Sequence, residues 1–167
     1  MLILHRRSLA FLIDYLIMLV YIALLLGATL SLVHFLNYTP SSLQPLKGQL
    51  IGFFTLTLPV FFYFFLSESG TKKGSLGKQK MGIQVNGDAV NLLVRNVLKF
   101  LPWEVAHTGV HWMVFYQLQE IEPPTWVWVL LILPQVVAFT YFISLLISGG
   151  KGILYDQLAG TSVSLNS

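Results

Sequence analysis

Residues 6–26 read RRSLAFLIDYLIMLVYIALLL, an apolar run that begins with two arginines and carries a carboxylate at Asp14. A charged side chain at bilayer depth costs at least ~2.5–3.5 kcal/mol on insertion scales. The folded protein must therefore offset the cost of Asp14, with a fixed partner or with a proton or cation that the carboxylate binds and releases. Asp14 is for this reason the first candidate functional residue.

The composition places the whole chain in the class of membrane proteins. Of its 167 residues, 55% are hydrophobic and 10% are charged, and the mean hydropathy is +0.71, whereas a soluble domain is about 25% charged. The chain lacks cysteine, which excludes disulfides and thiolate metal ligands. The net charge of +3 comes from clustered basic residues, and we do not interpret it as a sign of nucleic-acid binding.

Four apolar segments are candidate transmembrane helices, because a span needs about 20 apolar residues. They cover residues 8–36, 50–66, 103–118 and 126–147. The first continues well beyond the ~7–15 residue core of a signal peptide, so we expect it to be retained. The third is short and polar, and a re-entrant or half-buried helix is its alternative.

The basic residues predict the orientation of these segments. They lie before the first segment, between the second and third, and after the fourth: Arg6, Arg7, Lys72, Lys73, Lys78, Lys80, Arg95, Lys99 and Lys151. Positive residues accumulate on the cytoplasmic side of membrane proteins. We therefore predict an all-α, four-transmembrane-helix bundle of one domain, residues 1–167, with both termini, the loop 67–101 and the segment 148–167 in the cytoplasm.

The cytoplasmic loop is predicted to contain two structured parts. Residues 81–90 alternate in polarity around Asn86-Gly87, which favours a short β-hairpin. Residues 90–100 carry a narrow polar stripe of Asn91, Arg95 and Lys99, which predicts an amphipathic helix lying in the membrane interface. Pro102 then marks a bend into the third segment.

The lysine-rich stretch GTKKGSLGKQK, residues 70–80, could be a phosphate-binding loop or a basic loop that contacts lipid headgroups. A phosphate-binding loop requires a glycine five residues before its Gly-Lys pair and Ser or Thr after it. Lys72 and Gln79 occupy those places, so we predict no nucleotide and no other cofactor. We expect this loop to contact anionic lipid headgroups, where each lysine contributes about 1 kcal/mol.

Several short motifs, in this order along the chain, resemble the RDD family of small bacterial membrane proteins. They are R7-x-x-A10-x-x-I13-D14, G74-S75-L76-G77-K78-x-x-x-G82-x-x-V85, V94-R95-N96 and L154-Y155-D156-Q157-L158-A159-G160-T161-x-V163. The resemblance implies that Arg7, Asp14 and Asp156 are the residues that name the family. It also implies a multi-pass protein of the inner (plasma) membrane, and transport, with sodium–proton exchange attributed to some members.

This chain departs from the family pattern in two of these motifs. Ser75 stands where threonine is usual, and Tyr155 stands where histidine is usual, so a hydroxyl and an aromatic ring are kept. The stretch from Trp103 to His111 is not part of the shared pattern. The resemblance therefore indicates the architecture more strongly than the chemistry.

The candidate site residues fall into three groups. Arg7 and Asp156 should lie on the same side of the membrane and form an ion pair, either a structural latch or a gate. Asp14 needs a partner from another element, and Arg95, Lys78 or a pair of histidines on the third segment are the candidates. Its alternatives are a fixed buried pair, a carboxylate that exchanges a cation or proton, and an exposed protonated group.

Glu104, His107 and His111 form the third group, because their spacing places them on one helix face. They are predicted to line a polar interior shared with Asp14. Metal binding by these three side chains is an alternative that would still need a fourth ligand.

Three functions remain open from the sequence. The first, which we favour, is a non-enzymatic transporter that exchanges a small cation and a proton at an intramembrane carboxylate, Asp14, with Glu104, His107 and His111 lining the same site. Four spans are few for a complete pathway, so we expect a homo-oligomer. The second is a membrane scaffold or accessory subunit that binds a partner or anionic lipid. The third is a membrane-embedded metalloenzyme that uses Glu104, His107 and His111.

Overall fold

The computed structural model of the chain describes residues 2–37 and 44–166, most of which are helical. Residues 1, 38–43 and 167 of the predicted domain lie outside this part. The elements are α1 (Leu2–Phe35), α2 (Pro45–Gly52), a π-helical turn (Phe53–Thr57), α3 (Leu58–Ser69), α4 (Leu76–Lys80), β1 (Ile83–Asn86), α5 (Ala89–Leu118), α6 (Thr125–Ile147), α7 (Leu154–Leu158) and β2 (Ser162–Leu165).

Three helical stretches in the described ranges are long and apolar enough to cross a membrane: Leu2–Phe35, Pro45–Ser69 and Thr125–Ile147. Most of their large apolar side chains are exposed, which suits contact with lipid tails. The predicted segment 103–118 is the second half of α5. This helix of 30 residues is about 45 Å long, which is enough to cross a membrane. Its polar residues make it less apolar than the three stretches above.

The helix α5 corrects the prediction of a separate interfacial helix. It continues without interruption through Pro102, so residues 90–100 and 103–118 belong to one helix. The predicted polar stripe does not face water, since Arg95 is buried inside the protein and the apolar Val90 and Val97 are exposed. The stripe faces inward because the charged groups that it binds lie on the other elements of the fold.

A two-stranded antiparallel sheet replaces the predicted hairpin, while the fold is mostly helical as predicted. β1 pairs with β2 near the C-terminus, with Val85 opposite Val163. The chain does not turn back after Asn86-Gly87, because the Asp88 side chain caps the next helix by accepting a hydrogen bond of 2.8 Å from the Asn91 N–H. This local cap takes precedence over the hairpin signal.

The sheet and the two short helices α4 and α7 form what we call the end cap. It packs on the beginnings of α1 and α5 around a small apolar core of Ala10, Ile83, Val85, Leu92 and Val163. Gly149 and Gly150 connect α6 to the end cap with positive φ angles of 60° and 86°, which glycine adopts without strain. The end cap brings distant polar residues onto α1.

Candidate functional site

Asp14 is 3% exposed and is bound by groups from α3 and the end cap. Its carboxylate accepts hydrogen bonds from Ser75 Oγ at 2.5 Å, from the Gly77 N–H at 2.9 Å and from the Tyr63 hydroxyl at 3.2 Å. Ser75 and Gly77 belong to the beginning of α4, so Asp14 holds the first turn of that helix. Three donors compensate for the lost hydration of the carboxylate.

These contacts differ from the partners that the sequence suggested for Asp14. Arg95 and Lys78 bind other carboxylates. Tyr63, which contacts Asp14, and Thr57, which contacts Glu104, lie on one continuous helical stretch. Six residues separate them, or about 9 Å along a helix axis. The structure therefore places Asp14 and Glu104 in two separate sites, not in one shared interior.

Five charged residues form a buried network, which we call the charged cluster. Arg7 Nη2 lies 2.6 Å from Asp156 Oδ2, and Arg95 Nε lies 2.8 Å from Asp156 Oδ1. Arg95 Nη1 and Lys78 Nζ both bind the carboxylate of Glu68. None of the five is more than 8% exposed. The cluster joins α1, α3, α4, α5 and α7 through ion pairs.

Electrostatic pairing within the charged cluster keeps Asp156, one of its two acids, ionised. Burial by itself raises the pKa of Asp156, but Arg95 and Arg7 outweigh it and hold this pKa below its ordinary value. Burial lowers the pKa of Lys78, and the neighbouring Glu68 opposes that shift. Burial also raises the pKa of Tyr155 to about 12, while the Arg95 guanidinium carbon lies 5.2 Å from its ring centroid.

A second polar group, which we call the Glu104 site, lies between α5 and the α2–π turn–α3 stretch. Thr57 Oγ1 donates to Glu104 Oε2 at 2.6 Å, and Gln49 Nε2 donates to Glu104 Oε1. No Lys or Arg of the described ranges forms an ion pair with this carboxylate. The Glu104 site is thus held by neutral donors alone.

The two histidines of α5 complete the Glu104 site. Their ring centroids are 4.7 Å apart. Glycines make room for them on α2, since a Cβ atom at Gly48 would lie 2.7 Å from His111 Nδ1, and one at Gly52 would overlap His107. His107 Nδ1 and His111 Nε2 are buried and find no hydrogen-bond partner in the described part of the chain. The Glu104 site therefore contains two ring nitrogens whose hydrogen-bonding capacity is not used by the described residues.

Both helices that form the Glu104 site contain a proline two residues from the Thr57–Glu104 hydrogen bond. Pro59 has no N–H to offer the Thr55 carbonyl, and the Tyr21 hydroxyl of α1 donates to that oxygen instead. The counterpart on α5 is Pro102, where the Tyr141 hydroxyl of α6 donates to the freed carbonyl of residue 98 at 3.1 Å. Neighbouring helices commonly satisfy carbonyls that prolines free in membranes.

A family model described as the RDD family matches residues 3–160 of this chain. The chain belongs to the RDD family. Its apolar helices agree with this, since RDD proteins are membrane proteins. Neither a curated protein nor a solved structure matches it.

The three residues that the resemblance to the RDD pattern points to, Arg7, Asp14 and Asp156, all bind the end cap or belong to it. Arg7 and Asp156 meet directly, and Arg7 Nη1 also donates to the Gly150 carbonyl at 3.1 Å. Asp14 lies apart from that pair and binds α4 through Ser75, the serine that replaces the usual threonine. The three residues therefore attach both halves of the end cap, α4 and α7, to the same face of α1.

Glu68, which binds both Lys78 and Arg95, was not among the site residues predicted from the sequence. A usable signal was present, because residues 67–101 contain six basic residues and two acids, Glu68 and Asp88. Asp88 caps α5, so Glu68 was the remaining counter-ion for the buried bases of this loop. Gln49 and Thr57 gave no signal of their own, since isolated polar side chains are common in apolar helices.

The metal-ion alternative for Glu104, His107 and His111 lacks a ligand set. Within residues 2–37 and 44–166, no three His, Asp or Glu side chains are grouped so that they could hold a metal ion. The carboxylate binds Gln49 and Thr57, while the histidine rings pack against α2. Hydrogen bonds therefore account for the position of the Glu104 carboxylate, and packing against α2 accounts for the positions of the two histidine rings.

Proposed function

We propose that this RDD protein is a transporter that exchanges a proton and a small cation across the membrane, with Glu104 as the carboxylate that both species use. The observation that carries the proposal is the contrast in charge pairing between the acids. Glu68 and Asp156 are bound by cations of the protein, whereas Glu104 is bound by an amide and a hydroxyl. Asp14 also lacks a cation, but it is bound by three donors, one of them a backbone N–H, and holds the first turn of α4. A carboxylate without a fixed counter-ion at membrane depth favours a mobile one.

The form of the helices supports the same location. Transporters commonly bind substrates where discontinuous or proline-interrupted helices from two halves of the protein meet near the middle of the bilayer. The Thr57–Glu104 hydrogen bond joins two such helices, one interrupted by a π turn and Pro59 and the other by Pro102. Wide turns of the π type are frequent at functional sites. His107 and His111 add two buried nitrogens that can accept or donate a proton.

The proposal includes a membrane arrangement. The protein lies in the plasma membrane, the second half of α5 is its fourth span, and both termini are cytoplasmic. It acts as a homo-oligomer and catalyses no chemical reaction. Lys72, Lys73 and Lys80 are exposed on the end cap and would contact anionic lipids. Lys78 does not share this role, because it is buried against Glu68.

The test is exchange activity in proteoliposomes with an outward or inward gradient of a monovalent cation and a pH-sensitive dye inside. Glu104→Gln preserves the size of the side chain and removes the ionisable group, so we expect it to abolish exchange. Glu122→Gln is the matched control, because Glu122 is exposed outside the helices, and it should retain wild-type exchange. Wild-type exchange in folded Glu104→Gln protein would refute the proposal.

A scaffold or accessory subunit is the second candidate, and the charged cluster favours it. All of the cluster's carboxylates are paired inside the protein, as expected of a structural element that holds the end cap in place. In that case wild-type protein would show no exchange in vesicles, while one dominant partner would copurify with it from membranes. Loss of that partner on alteration of the exposed lysines, with the fold intact, would favour the scaffold over the transporter.

A further inference from the structure

The positions on α2 and the π turn that contact α5 do not follow a regular α-helical spacing. Gln49 of α2 reaches Glu104 with its long side chain. The closer contacts are those of Gly48 with His111, Gly52 with His107 and Thr57 with Glu104. The first interval is four residues, as in an α-helix, but the second is five. In a regular helix, which advances about 100° per residue, Thr57 would point about 140° away from the direction of Gly52.

The π turn supplies the extra residue that this contact needs. At its end the Leu58 N–H donates to the carbonyl of Phe53, five residues earlier. One turn therefore accommodates an additional residue, which returns the Thr57 side chain to the face of the stretch that meets α5. Thr57 is 6% exposed, and its hydroxyl lies 2.6 Å from Glu104 Oε2.

Two residues outside the Glu104 site favour the π turn over a regular helix. Pro59 cannot donate the hydrogen bond by which an α-helix would satisfy the Thr55 carbonyl. Tyr21 of α1 donates its hydroxyl to that carbonyl, so the oxygen is satisfied without an N–H from its own helix. An apolar groove of about 180 Å³, open on one side, is lined in part by Tyr21 and Pro59.

We propose that Tyr21 and Pro59 are positioning residues for Glu104. They hold the π turn, and the π turn places the Thr57 hydroxyl on the carboxylate. The inference rests on the proposed role of Glu104, but it concerns the geometry of the site and not the flux through it. A purely structural role of Tyr21 and Pro59 would affect stability and would leave the hydrogen bonds of Glu104 as they are.

The experiment reads the hydrogen bonding of Glu104 directly. The infrared absorption band of its carboxyl group is measured in the full-length protein in lipid, and it is assigned by its loss in Glu104→Gln. We expect Thr57→Val to shift this band. Tyr21→Phe and Pro59→Ala, which restores an N–H donor for the Thr55 carbonyl, should each shift it in the same direction. Tyr21→Phe added to Thr57→Val should produce no further shift.

Tyr15→Phe is the matched control, because Tyr15 lies on α1 like Tyr21 but is 46% exposed and stacks on Phe11. It should leave the band at its wild-type position. A band unmoved by Tyr21→Phe or by Pro59→Ala, in protein where Thr57→Val moves it, would overturn the inference. That result is independent of the exchange assay, which decides separately whether Glu104 takes part in transport.

Discussion

The charged cluster and the Glu104 site are both polar groups inside an apolar protein, and they are built in opposite ways. In the charged cluster, each carboxylate is bound by two cationic side chains, and the members come from five elements. In the Glu104 site, one carboxylate is bound by two neutral side chains, and three buried polar atoms of Gln49, His107 and His111 lack a partner in the described residues.

The charge of the neighbouring side chains determines which of these carboxylates can be protonated and deprotonated. A buried acid between two cations loses those interactions when it takes up a proton, so its charge is fixed by the fold. An acid held by an amide and a hydroxyl keeps neutral neighbours in either protonation state. Arg7 and Asp156, which the resemblance to the RDD pattern points to, therefore belong to a fixed structure, and Glu104 is the group to which our proposal assigns exchange.

The largest expected effect comes from breaking the charged cluster. Arg95→Met keeps most of the side-chain volume but leaves Glu68 and Asp156 each short of a cation in a buried setting. Removing one partner of a buried pair costs about 3–5 kcal/mol, so we expect most of the protein to be lost as aggregate. Recovery of monodisperse protein by size-exclusion chromatography and thermal unfolding in detergent measure this.

Two variants frame that measurement. Lys72→Met removes an exposed lysine of the end cap and should leave stability unchanged. Glu104→Gln removes the other kind of carboxylate and should change the unfolding free energy by less than about 1 kcal/mol, since neutral donors can bind an amide oxygen as well. If Arg95→Met were as stable as Glu104→Gln, the distinction between a fixed and an exchangeable group would collapse.

An intermediate effect is expected where Asp14 binds the end cap. A Cβ atom at Gly77 would lie 2.9 Å from Asp14 Cγ and would overlap the Ala10 carbonyl. Overpacking of this kind costs about 1–3 kcal/mol, so Gly77→Ala should lower the unfolding temperature. Gly27→Ala adds the same methyl group on α1, where nothing lies within 4 Å, and it should be neutral or slightly stabilising. Equal unfolding temperatures for the two variants would contradict the close packing of α4 on α1.

The sequence predicted the parts of this fold that depend on local composition. Long apolar runs identified the three stretches that can span a membrane, and the predicted meeting of Arg7 with Asp156 followed from placing both residues at one end of the bundle. The partners of Asp14 could not be predicted in this way. Ser75 and Gly77 are more than 60 residues away from it, and their approach depends on how the end cap folds back onto α1.

Two other features escaped the sequence for different physical reasons. Asn86-Gly87 is a typical hairpin turn, but β1 pairs with β2 instead, and Asp88 caps α5 directly after this dipeptide. The π turn shifts the register of one helix by a single residue. A stretch of five residues is too short for its pattern of polar and apolar side chains to reveal such a shift. Thr57 therefore looked like one of several polar residues in an apolar segment, although its hydroxyl binds Glu104.

The smallest expected effect concerns the second tyrosine–proline pair and tests whether the prolines are what make these tyrosines necessary. Tyr141→Phe removes the donor to the carbonyl freed by Pro102, and we expect a loss of about 0.5–1.5 kcal/mol in the unfolding free energy. Pro102→Ala returns an N–H donor to that carbonyl from within α5, so Tyr141→Phe should cost less in that background. Unfolding of the four proteins by denaturant in mixed micelles measures this coupling. Additive effects would mean that the hydroxyl stabilises α6 by another route, and the parallel between the two prolines would then fail. A positive coupling would show that α5, like the helix interrupted by Pro59, depends on a tyrosine of a neighbouring helix.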